Sequence, residues 1–208
     1  MDKRSLKKLE KNPWDWGNSV LYEMCKLNPG HKNQNIALGK MWIIGRSYSA
    51  AIERGAGKHR DESVDFYSEK VAPMLKASGI DKWIRSLSKI NRTTHSNMED
   101  LLEIHSSFVQ AIEEITDKKK RSLASKYLHF HSPKSVFIYD SIANSEIRSL
   151  LSDKKKRFSY IKGYDDAYSQ FVVRCLYLRD EIIEPLLGKE VCPRFIDKIL
   201  LSSASGQL

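Results

Sequence analysis

Apolar residues recur at intervals of three and four along most of this chain, and nowhere do they alternate long enough to build a strand. That pattern predicts an all-α fold and argues against barrels, sandwiches and wound sheets. Ten glycines and six prolines in 208 residues favour long helices over a turn-rich architecture. The run Val136, Phe137, Ile138 is too short to count as a strand. The spacing predicts helices over 17–27, 34–54, 61–77, 81–89, 96–116, 121–131, 141–151, 164–187 and 194–201, after a basic arm at 1–12. Punctuation supports the boundaries. Asn28-Pro29-Gly30, Gly79 and Gly188 read as stops, and Pro73 falls where it would kink a helix. Asp61 and Asp140 read as N-caps, and Ser96 with Glu99 three residues on reads as a capping box. No internal repeat and no heptad run appears. The expectation is a single all-helical domain over 1–208, with room for two closely packed lobes.

Composition narrows the class of function. A hydrophobic share of 41% is that of a folded globular chain rather than a disordered one. No apolar run approaches a membrane span, and the first dozen residues carry charge where a signal peptide would be apolar. A cytoplasmic protein is expected, without a membrane partner. Cys25, Cys175 and Cys192 are widely spaced and odd in number, so neither a disulfide framework nor a zinc knuckle is indicated. His129 and His131 lie two apart on a predicted helix and point to different faces, which suits no shared metal. No metal site and no cofactor is expected.

Charge points to a polyanion. Lys and Arg number 35 against 26 Asp and Glu, with a pI near 9.4. Two basic blocks stand out, Lys118-Lys119-Lys120-Arg121 and Lys154-Lys155-Lys156-Arg157. Brought together by a chain reversal, they would grip a phosphate backbone; as solvated loops they would do nothing specific. Trp14 and Trp16 fit a staple onto the core better than a stacking pair. The loop Gly55-Ala56-Gly57-Lys58 lacks the spacing and preceding strand of a P-loop.

Between the two blocks lies the most informative stretch. Leu123, Ala124, Tyr127, Leu128 and His131 mark a helical stripe, Ser132-Pro133 ends it, and Val136 to Ile138 form an apolar plug. Asp140 then stands where the next helix begins, and a carboxylate there accepts free N–H groups and faces the positive end of the helix dipole. Lys126 lies between the basic block and Asp140, as an amine nucleophile or as an ion-pair partner of that carboxylate.

This order of parts, a small-residue helix, a proline turn, a plug and an Asp at a helix start, resembles the catalytic half of the helix-hairpin-helix DNA glycosylase superfamily, in its 8-oxoguanine glycosylase-like branch. The resemblance covers roughly 116–151, and the segment 192–201 is similar to the same pattern. It implies a two-lobed multi-helix fold with a cleft, the catalytic-like half at about 96–160. It implies a DNA partner and an Asp140 that stabilises positive charge on the sugar as a modified base departs. Trp42, Phe137 and Tyr139 are the candidates to stack on that base. The family's hairpin carries glycines, whereas Thr116 to Ser122 has none, and its nucleophilic lysine falls by counting near Arg121 or Ser122, with Lys120 and Lys126 on either side. Three functions follow: a DNA glycosylase acting through Asp140, a catalytically inactive glycosylase-like sensor of nucleic acid or nucleotides in bacterial defence or regulation, or a helical adaptor for an acidic protein.

Overall fold

The periodicity becomes helices and, among the described residues, no strand. The structure, a computed structural model, describes residues 2–10, 15–54, 65–153 and 158–208. In chain order they form α1 (Lys3–Leu9), α2 (Asp15–Leu27), α3 (Gln34–Ser47), a π-helical turn (Tyr67–Val71) running into α4 (Ala72–Ala77), α5 (Ile80–Ser88), α6 (Met98–Thr116), α7 (Arg121–His131), α8 (Ser141–Leu150), α9 (Asp166–Tyr177), a second π-helical segment (Leu178–Ile183), α10 (Glu184–Leu187) and α11 (Pro193–Ala204). No helix among them is long and apolar enough to cross a membrane.

Helix α7 is the axis. Its side chains from 123 to 130 are all buried, and α2, α3, α5 and α6 pack around it. Burial on every face is what a central helix requires and a surface helix cannot show. Buried apolar side chains from α1 through α11 join in one connected cluster around it.

Four boundaries differ from expectation. The helix predicted over 34–54 ends at Ser47, because Ser49 takes a left-handed φ of 52° and the Ala50 N–H turns back to the Gly45 carbonyl at 2.7 Å. Gly45 permits the reversal: a Cβ there would lie 3.2 Å from the Ala51 backbone. The Asp61 cap lies outside the described residues. Pro73 opens α4 just after the π turn, where the Ala72 N–H reaches back to the Tyr67 carbonyl, so the expected mid-helix kink becomes a change of helical pitch. At α6 the cap is Asn97 rather than Ser96; Ser96 bonds the Thr94 hydroxyl, and the predicted box is not made. The helix predicted over 164–187 begins at Asp166, capped by the Asp165 side chain on the Tyr168 N–H at 3.1 Å, and passes through the second π segment. It stops at Gly188, whose φ of 72° suits glycine.

Side chains hold the backbone of the segment joining α7 to α8 at Ser135, Val136, Phe137 and Tyr139. His129 Nδ1 donates to the Val136 carbonyl at 2.7 Å, and its Nε2 accepts from the Tyr22 hydroxyl at 2.6 Å. The Tyr168 hydroxyl donates to the Phe137 carbonyl at 2.9 Å. Ser125 Oγ accepts the Tyr139 N–H at 3.0 Å, and its one hydrogen lies between the Ser122 carbonyl at 3.1 Å and the Tyr139 carbonyl at 3.3 Å. Thr93 Oγ1 donates to the Ser135 carbonyl at 2.6 Å. Arg179 is buried against Phe137, donates to the Thr93 carbonyl and pairs with Asp180, while Arg92 bridges Asp180 and Glu184. Buried backbone groups must be satisfied, and here α7, α9 and Thr93 in the loop before α6 supply the partners, so the segment reaches Asp140 in one fixed course.

Candidate functional site

Asp140 has extended backbone, φ −150° and ψ 176°, and its Oδ1 accepts the Ala143 N–H at 2.8 Å, completing the predicted cap of α8. Its side chain keeps 22% of its surface exposed, and Oδ2 faces Lys126 Nζ at 3.4 Å. Lys126 is buried at the centre of α7. Its ammonium also donates to Ser122 Oγ at 3.0 Å and to the Tyr48 carbonyl at 3.4 Å, and lies 5.4 Å from the Tyr48 ring centre. Three acceptors therefore meet its three N–H bonds.

Behind this pair lies a second, deeper one. Asp197 of α11 is fully buried and paired with Arg194. Its Oδ1 and Arg194 Nε have no hydrogen-bond partner among the described residues. Burial pushes the Asp197 carboxyl up to about 6, with the Asp140 charge adding and the charges of Arg194 and Lys126 opposing.

Asp140 and Lys126 open onto a cavity of about 470 Å³ between the reversed end of α3, the start of α7 and the start of α8. Tyr48, Ser49, Ala50, Ala51 and Arg54 form one wall, Lys119, Lys120, Arg121, Ser122 and Leu123 a second, and Tyr139, Ser141 and Ile142 a third. Five cationic side chains, Lys126 among them, thus line a cavity with one carboxylate. The Lys120 ammonium donates to the carbonyls of Ala51 and Arg54; burial, with the charges of Lys118 and Arg54, holds its pKa below the usual lysine range. Arg121 Nε donates to both carboxylate oxygens of Asp165, at 2.7 and 2.5 Å. With Lys119 and Arg148 it also lines an adjoining cavity of about 510 Å³.

The sequence candidates fall into three groups. Asp140, Lys126, Lys119, Lys120, Arg121 and Tyr139 line the one cavity. Lys118 is exposed and Trp42 stands 47% exposed on α3 with Arg46 over its ring at 5.2 Å; neither lines it. Phe137 is sealed at 1% exposure under the Arg179 guanidinium, so its ring face is already covered and it is not available to stack on a ligand. Lys154, Lys155, Lys156 and Arg157 lie outside the described residues, as does Trp14, and Trp16 is 67% exposed. Tyr139 packs edge-on to Phe171 at 5.2 Å and presents its remaining surface to the cavity. His129 is buried and His131 half-buried, on separate partners, as their two-residue spacing requires.

Sequence reasoning missed Tyr48, Ser122, Arg54 and Asp197. Tyr48 and Arg54 sat inside a predicted continuous helix, where only the unforeseen reversal at Ser49 turns them to the cavity. Ser122 was visible as the residue one helical turn before Lys126. Asp197 gave a signal, a carboxylate three residues after Arg194 on a largely apolar stretch.

No protein-family model, no curated protein and no solved structure matches this chain.

Proposed function

We propose that this chain is a DNA glycosylase-like protein, binding nucleic acid through its cationic rim and acting on a modified base at Asp140. The observation that supports this most directly is a solvent-reachable carboxylate fixed at a helix start, at the floor of a cavity ringed by Arg54, Lys119, Lys120 and Arg121. Phosphates flanking one nucleotide would meet the rim, and the extruded base would enter between Tyr48 and Tyr139. As the glycosidic bond breaks, its electron pair leaves with the base and positive charge grows on the sugar until water adds at the anomeric carbon, the net proton passing from water to the departing base. A carboxylate already oriented by the Ala143 N–H stabilises that charge without reorganising. Lys126 would hold Asp140 in place.

A second reading has its own support. The Lys126 ammonium 3.4 Å from Asp140 opposes any further cation beside that carboxylate, and its donors are already occupied. That arrangement suits a binding protein which keeps the scaffold and recognises a nucleotide without cleaving it.

One variant separates the two. Asn keeps the cap but takes the counter-charge from the buried Lys126 ammonium, so Asp140→Asn should cost about 3 kcal/mol or more in stability, and its melt is recorded first so that every assay is run on folded protein. Assayed on a panel of lesion-bearing oligonucleotides, a glycosylase should lose about 100-fold or more in rate with that change. Salt-dependent binding that survives the substitution, with no excision by wild type, selects the binder. A wild type that neither cleaves nor binds any DNA, RNA or nucleotide at low salt removes both.

A further inference from the structure

We infer that the outward face of α2 and α3 is where two copies of this chain meet, as a twofold-symmetric dimer. The inference stands apart from the nucleic-acid reading above, because none of the side chains that form this face lines the Asp140 cavity.

The two helices lie side by side and antiparallel. The Tyr48 hydroxyl, at the end of α3, donates to Asn18 near the start of α2. The Lys40 ammonium donates to the Asn28 carbonyl, just past the end of α2, at 2.7 Å. Leu21 and Cys25 of α2 and Met41 and Ile44 of α3 already fill the inner faces. Val20 and Leu27 stand outside on α2, and Ile36 and Ile43 on α3. Each pair is seven residues apart and so falls on nearly one line of its helix. Gly39 lies midway along the α3 line, partly exposed, and a Cβ there would meet nothing within 4 Å. Glycine weakens a helix relative to alanine, and nothing in this chain's own packing requires it at this place. A second backbone crossing the line there would.

The face is the size a dimer needs. Val20, Leu27, Ile36, Ile43 and the Trp42 ring on the far flank of α3 are 37% to 69% exposed, and together leave on the order of 450 Å² of apolar surface in water. At the apolar share usual for contacts between subunits, that corresponds to about 700–800 Å² per copy, the size of a stable interface. Charge selects a second copy over an acidic partner. The chain has a net charge of +9, yet apart from the buried Lys40 the two helices carry Asp15, Glu23, Lys26 and Arg46, which cancel. Nucleic acid or an acidic protein would find no net charge to bind here. Two copies can meet here without the repulsion that their cationic surfaces impose elsewhere, each residue facing its counterpart's neighbours across the axis. Among the described residues, the large apolar side chains exposed outside α2 and α3 are Ile142 and Leu150, both on α8, so no second face of this extent competes.

The test is sedimentation velocity on the full, nuclease-treated chain from about 1 to 100 μM, in about 0.1 and 0.5 M salt. Wild type should approach twice 24.0 kDa, with a dissociation constant of about 10 μM or tighter that salt changes less than about threefold. Gly39→Arg and Leu27→Glu should each weaken association about 30-fold or more. Position 39 opens onto empty space and Leu27 is exposed, so both variants should stay folded, which circular dichroism checks first. Leu150→Arg adds the same charge at an exposed apolar residue of α8 and should dimerise as wild type does. A mass that stays at 24.0 kDa through the whole range overturns the inference, whatever partner the face then takes. So does a dimer that Gly39→Arg and Leu27→Glu leave as tight as before, since its contact lies elsewhere. A dimer that dissolves in the higher salt, or forms only without nuclease treatment, is a bridge through nucleic acid and also overturns it. An equal loss in Leu150→Arg marks net-charge repulsion rather than a specific face and counts against it in the same way.

Discussion

Asp140 has two tasks that use different oxygens. Oδ1 finishes α8 and Oδ2 faces Lys126 and the cavity, so the capping role leaves the second oxygen for chemistry. Asp197, behind it, has no such outlet. Its folded carboxyl sits at about 6 against an ordinary 3.8, so the folded chain holds that proton more tightly than the unfolded one does. The charged form therefore opposes folding at neutral pH, and the opposition fades as pH falls through 6 toward 4. Relative to Asp197→Asn, wild type should gain roughly 2–3 kcal/mol between pH 7 and pH 4. Urea unfolding of both proteins at each pH measures this, and a constant difference between them would contradict it. The sequence left Lys126 as an amine nucleophile or an ion-pair partner of Asp140; packing on all sides of α7 buries it, and Asp140, Ser122 and Tyr48 make the burial tolerable.

Among the elements, the segment between α7 and α8 decides where the carboxylate stands. It has no regular structure of its own, and its course comes from Ser125, His129, Thr93 and Tyr168. Ser125 is the sharpest case. Oγ holds the N–H of Tyr139, one residue before Asp140, while its own hydrogen lies between the carbonyls of Ser122 and Tyr139. Ser125→Ala keeps the space and removes the clamp, leaving a partly buried N–H unpaired. It should cost about 1–3 kcal/mol in denaturant unfolding and lower any Asp140-dependent activity beyond what the stability loss explains. A variant as stable and as active as wild type would show that the segment holds its course without the clamp. The end of α3 carries a parallel lesson. Tyr48, Ala51 and Ile52 continue the apolar spacing past Ser47, and Ala51 and Ile52 are buried, but in a reversed turn rather than a helix. Periodicity records which residues are covered and not the backbone path that covers them.

For the whole molecule, the same buried histidines that fix the fold make it sensitive to acid. His105 stacks on the Tyr168 ring at 3.6 Å, and burial pushes both His105 and His129 down to about 4. Between 6.5 and 4 the unfolded chain binds protons that the folded chain refuses, so their contribution to stability is present above 6.5 and is lost as pH falls through that window. Each such group adds up to about 1.4 kcal/mol per pH unit, and His131, pushed down to about 3 by burial, adds in the same sense, with Asp197 offsetting part of the total. Urea midpoints should therefore fall steeply between pH 6 and 4.5; a flat profile would place these imidazoles in contact with water. His105 Nδ1 has no partner among the described residues, so its protonated form would gain nothing there to compensate.

By itself, the sequence determined the helical class, most helix starts and stops, and Asp140 as a cap, because these depend on residue spacing and on chemistry within one turn of backbone. It also supplied the positive charge, since that is a sum over the chain. Tertiary structure alone decided that α7 would be buried on every face, that the α3 end would turn back to make a wall, and that Tyr48 and Asp197 would join Lys126 around one carboxylate. Those outcomes depend on contacts between residues as far apart as 48 and 126, and the free energy of such contacts is fixed only when helices distant in the chain compete for the same interior.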